Sequence, residues 1–239
     1  MREGPVATTL GRTGRLIGAG AAAAALGWAG FAAVAWSRYG KAADAGRPDP
    51  LLDRFMPEYE VRERHETRVA APAELTWAAA RELDLDRSPV VRAIFAGREL
   101  LMGGRRSRDK PPRSFFAEVL SLGWRVLEEE PGREIVMGAA TQPWRADVKF
   151  LGLEPDRFAA FDTPGYAKIA WTFAVDPLGA EASVFHTETR VRTTDAESRE
   201  RFRRYWSVFS PGILLIRYES LRLVRAEAER RARADRERV

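Results

Sequence analysis

The chain has 239 residues, no cysteine, two histidines and a formal charge of +5. It therefore has no disulfide, no cysteine-based zinc site and no thiol nucleophile. A hydrophobic fraction of 45% with 19 glycines and 14 prolines suits a folded core, and the length allows one ordinary domain plus a tail or anchor. The positive charge, mostly arginine, favours an anionic contact such as lipid headgroups. Arginine-rich coding is the favoured explanation of it, and no specific nucleic-acid partner is expected.

The segments divide as a tail (1–15), a membrane or signal segment (16–36), a linker (37–57) and one folded domain (58–239). Leu16 to Trp36 carries no charge over 21 residues, with Arg12 and Arg15 before it and Arg38 and Lys41 after it. As a helix it would reach roughly 31 Å, enough for a bilayer core. Alanine and glycine dominate it, and Ala33-Val34-Ala35 before Trp36 is a passable signal-peptidase site. A retained single-pass anchor is favoured because the uncharged run exceeds the ~7–15 residues of a signal core; a cleaved signal remains open. Arginines balance on the two sides, so the side of the membrane is not assigned.

Within the domain, Tyr59–Val69 reads as a strand with Tyr59, Val61, His65, Thr67 and Val69 on one face and arginines on the other. Pro72 opens a helix over Ala73–Arg81, and Ser88-Pro89 opens a second. Residues 103–113 hold five basic side chains against one acid and read as an exposed loop, followed by a short helix over Phe115–Leu120. Strands follow at Trp124–Glu130 and Arg133–Ala139 across Pro131-Gly132, then Phe158–Phe161, Tyr166–Val175 and Ser183–Val191, with a further short one near Val148–Leu153. Asp195 is the N-cap of a long helix whose Phe202, Tyr205, Trp206, Phe209, Ile213 and Ile216 make one broad apolar face. Ser210-Pro211-Gly212 predicts a kink in it.

The order is strand, two short helices, five or six antiparallel strands and a long terminal helix: an α+β pattern in which the helix covers the apolar face of a curved sheet. Together with the run Val61-Arg62-Glu63-Arg64-His65-Glu66-Thr67-Arg68-Val69-Ala70-Ala71-Pro72 leading to Trp77, this order resembles the START-like (SRPBCC) superfamily. Pro164-Gly165-Tyr166-Ala167, Thr187-Glu188-Thr189-Arg190-Val191 and Arg201-Phe202-Arg203-Arg204-Tyr205-Trp206 resemble an uncharacterised bacterial branch of it. The resemblance covers about residues 58–230. It implies a helix-grip fold, a sheet of six or seven strands around the terminal helix enclosing an apolar cavity. Members bind lipids, sterols, hormones or polyketides, and some are cyclases or hydrolases; no catalytic residue is shared across them, so none carries over.

On this basis Trp77, Trp171, Phe173, Phe202, Trp206, Phe209 and His65 are the candidate cavity residues, with Phe202, Trp206 and Phe209 as a roof over Trp171 and Phe173. Arg105, Arg106 and Arg108 are candidates for a membrane surface. His65 has inward parity and His186 outward; neither has the spacing of a nucleophile pair or a metal ligand, and no metal or cofactor is expected. Glu188 and Arg190 share a strand face and read as cross-strand surface ion pairing, with a buried pair or ligand clamp as the alternative. Three functions stay open: a membrane-tethered carrier or sensor of a small apolar molecule or lipid, a ligandless membrane adaptor, and an enzyme on a hydrophobic substrate.

Overall fold

The computed structural model describes residues 26–40, 48–102 and 114–238. Its centre is a six-stranded antiparallel sheet: β1 (Val61–Val69), β2 (Arg125–Glu130), β3 (Glu134–Thr141), β4 (Phe150–Leu151), β5 (Ala167–Pro177) and β6 (Ser183–Thr193). The strands lie in the order β1-β6-β5-β3-β2, and β4 pairs with β3. Gly132 (φ 80°) turns β2 into β3, where a side chain would be strained. The register sets Glu63 opposite Thr189 and His65 opposite Thr187.

The helices are α1 (residues 26–38), α2 (Pro50–Phe55), α3 (Ala73–Arg81), α4 (Pro89–Met102), α5 (Phe115–Ser121), α6 (Pro155–Ala159) and α7 (Ala196–Arg236). Asp195 caps α7 by accepting from Ser198 N at 2.8 Å and also accepts from Gly165 N at 2.5 Å, which ties the helix start to the β5 turn. From there the buried residues Phe202, Trp206, Ser210, Arg217, Leu221, Val224, Ala228 and Ala232, with half-buried Ile213, recur at spacings of three and four. That stripe faces the sheet, and α7 runs through Pro211 without ending there. Gly212 makes a close crossing possible, since a Cβ at this position would stand 3.1 Å from Ile94 Cγ2 of α4.

The opposite, convex face of the sheet is covered by α2 and α6. Leu52, Phe55 and Met56 pack there with Leu127, Val136, Phe158 and Ala170. Residues 48–57, read from the sequence as linker, thus carry a helix capped by Asp49 and belong to this packing. Phe158–Phe161, expected as a strand, instead overlaps α6. Pro155 at its first turn favours helix, and Phe158 inserts against Gly138, where any Cβ would clash with Leu127 and the Phe158 ring.

The convex cover also corrects the reading of Glu188 and Arg190 as surface ion pairing. Both are fully buried, and Arg190 Nε donates to Glu188 Oε1 at 2.8 Å. Arg62 donates to the same carboxylate from Nε and Nη2, and Arg190 Nη1 reaches Asp53 of α2 at 2.5 Å. His186 has the outward parity expected of it, yet it is buried here, 3.5 Å from Asp176.

Of the expected membrane segment, residues 16–25 lie outside the described residues. The remainder forms α1, which lies on α7. Trp28 Nε1 donates to Val208 O at 2.9 Å, Arg203 sits 4.0 Å over the Trp36 ring, and Tyr39 meets Phe202. Among the described residues no helix is long and apolar enough to cross a membrane. Arg105, Arg106 and Arg108 also lie outside the described residues.

Candidate functional site on the concave face

The space between α7 and the sheet holds two apolar clusters with a polar stretch between them. Near the α7 N-terminus, Phe202 and Trp206 pack with Val61, Ala167 and Val191, and with half-buried Ile169. Toward the C-terminus, Leu221, Val224 and Ala228 pack with Val69, Trp171, Phe173, Val175 and Phe185. Phe115 and Phe116 of α5 fill this second cluster, their rings 5.5–5.9 Å from those of Trp171 and Phe173. Full burial of such a side chain contributes about 1.5–3 kcal/mol, so both clusters are substantial anchors for α7.

Between them, β1 is polar at Glu63, His65 and Thr67, and α7 carries Ser210 and Arg217 on either side of Ile213. Along β1 the inward face reads Val61, Glu63, His65, Thr67, Val69; along α7 it reads Trp206, Ser210, Ile213, Arg217, Leu221. Arg217 Nη1 donates to the Glu63 carbonyl at 3.4 Å, and His65 meets the Tyr218 ring edge-on at 4.9 Å. Arg217 is only 8% exposed, and its Nε has no hydrogen-bond partner; neither has Nδ1 of His65 nor Oγ of Ser210. Burial pushes the Arg217 guanidinium down to about 10, so it remains charged at neutral pH. Burial also raises the Glu63 carboxyl and lowers His65, which keeps the imidazole neutral.

Leaving a buried donor unmade costs about 1–3 kcal/mol, more for a charged group. Arg217 and His65 bear that cost where α7 meets β1, and Ser210 bears it two turns earlier on α7, which marks this stretch as the candidate site. It offers a cation with an open N–H edge, a neutral imidazole and a hydroxyl, flanked by apolar walls. Such groups can hydrogen-bond a polar group that reaches them.

The seven expected cavity residues are divided by this arrangement. Trp171 and Phe173 belong to the C-terminal cluster with half-buried Trp77 at its margin, whereas Phe202 and Trp206 belong to the N-terminal one. Phe209 stacks on Tyr205, with ring centroids 5.0 Å apart. Only His65 lies in the polar stretch itself. Arg217 escaped the sequence reading because a single charge beside an apolar run reads as a solvated position. Its spacing, four residues after Ile213 and four before Leu221, was the available signal. A separate open notch of about 220 Å³ lies between Tyr39 and the start of α7, lined by Arg199 and Arg203, and contains none of the seven.

No protein-family profile and no curated protein matches the chain. Among solved structures, it is similar to truncated norcoclaurine synthase from Thalictrum flavum, at 12% identity over 67% of this chain and 90% of that one, with a TM-score of 0.34. A START superfamily protein from Mycobacterium smegmatis is 12% identical over 72% and 97%, with a TM-score of 0.29. The Zhui aromatase/cyclase from Streptomyces is 19% identical over 73% and 97%, with a TM-score of 0.24. The fold is a helix grip, an antiparallel sheet with its β1 edge and concave face laid along one 41-residue helix.

Proposed function

We propose that this START-like domain binds a small, largely apolar molecule between α7 and the concave face, and that the N-terminal segment tethers it to a membrane. The observation that carries the binding half is the unmet hydrogen-bonding capacity of Arg217 and His65, between the two apolar clusters that anchor α7. Entry requires α7 to move away from β1. Pro211, six residues before Arg217, is the natural flexing point, because it leaves the Ser207 carbonyl without its helical donor.

The tether rests on the uncharged run 16–36 and on the positive charges of Arg105, Arg106 and Arg108, each of which would contribute about 1 kcal/mol against anionic headgroups. Native mass spectrometry of the purified full chain tests the binding half: a co-purified small molecule supports it. A chain that carries none and takes up no neutral apolar probe leaves the ligandless adaptor. For the tether, the full chain is expected to stay with membranes through a carbonate wash. Replacing the three arginines by alanine should weaken its binding to anionic vesicles in a salt-dependent way. Release by carbonate, or a mature N-terminus at Trp36, would contradict the anchor.

A further inference from the structure

The buried arginines of this domain fall into two kinds. Arg62, Arg64 and Arg190 all reach the Glu188 carboxylate. Arg217 has a single, long hydrogen bond to a neutral carbonyl. Glu63 is the nearest acid along β1, yet no ion pair within 4 Å joins it to Arg217 among the described residues, and burial raises its carboxyl more than the charges of Arg217 and Arg38 lower it. The Nε edge of the guanidinium is thus buried, charged and open.

A guanidinium presents its Nε–H and one Nη–H as parallel donors, a spacing that matches the two oxygens of a carboxylate. A neutral hydroxyl or ketone would meet one donor and leave the charge uncompensated. We propose that the ligand of the concave face is an amphipathic carboxylic acid, whose carboxylate is held by the Nε edge of Arg217, with His65 and Ser210 as further polar contacts and its hydrocarbon body against the apolar clusters. This deepens the reading of the domain as an apolar-ligand binder and rests on it.

The test is competition against Nile red, a neutral apolar probe, with the full chain. Dodecanoic acid, its methyl ester and dodecylamine are compared on the wild type, Arg217→Gln and Arg217→Lys. The acid is expected to displace the probe at least tenfold more tightly than the ester or the amine in the wild type. Arg217→Gln should bring acid and ester to the same affinity, and Arg217→Lys, which keeps the charge but loses the fork, should fall between. The wild-type ratio stands even if a variant fails to fold, which circular dichroism reports. Equal affinity of acid and ester in the wild type overturns the acid assignment and leaves the apolar-ligand reading intact. An acid preference that survives in folded Arg217→Gln overturns the role of Arg217. Failure of the probe and all three competitors to bind overturns both readings.

Discussion

On the convex face, the Glu188 carboxylate is buried together with its arginines; on the concave face, Arg217 is buried without an ion pair. Glu188 lies below its ordinary value despite burial, because Arg62 and Arg190 hydrogen-bond to it, and those arginines are raised in turn. Arg217, under α7, is lowered by burial, which outweighs the opposing charges of Glu63 and Glu188. The convex face has unpartnered atoms as well, Glu134 Oε1 and His186 Nδ1, but burial keeps both groups neutral near pH 7. An arginine cannot escape by losing its proton. A matched buried ion set holds two elements together, here α2 and the sheet, whereas an unmatched cation is a binding capacity held in reserve.

This comparison can be broken first at Glu188. Glu188→Ala strands Arg62 and Arg190 as uncompensated buried charges and should cost about 3–5 kcal/mol of unfolding free energy in urea titration. A loss under about 1 kcal/mol would mean that the convex network carries little of the fold.

A second, smaller effect is pH-dependent. Burial, with the adjacent Asp49 next, raises the Glu134 carboxyl to about 8 from an ordinary 4.5. Folding therefore takes up a proton between those values, so stability is highest near pH 4.5 and falls as pH rises toward 8. The fall should be on the order of 2 kcal/mol and should vanish in Glu134→Gln. A wild-type stability curve that parallels the variant's across this window would contradict the assignment.

The smallest stability effect is expected at Arg217. Arg217→Met exchanges an unmatched buried cation for an apolar chain of similar reach, and stability should change by less than about 1 kcal/mol or rise. A loss as large as that of Glu188→Ala would make Arg217 structural.

The difference between the two faces also explains what the sequence revealed. Strands, turns and the α7 cap were legible because their signals are local: alternation in β5 and β6, Pro131-Gly132 between β2 and β3, and Asp195 before Ala196. The inward parity of His65 followed from the same alternation. Burial of Glu188 and Arg190 was not legible, since it depends on α2 arriving from residues 50–55, more than 130 positions away in the chain. The helix at Pro155 was hidden because four residues around Phe158 fit strand and helix alike. Arg217 was obscured by its own charge, although it sits on the buried stripe of α7.

The most direct test of the account follows the side-chain Nε–H resonances of Arg217 and Arg190 by NMR in the full chain as dodecanoic acid is added. The account predicts a saturable shift of the Arg217 signal and slower exchange with water, while the Arg190 signal stays where it was. Movement of both signals together, or a still Arg217 signal at concentrations that displace the apolar probe, would contradict it.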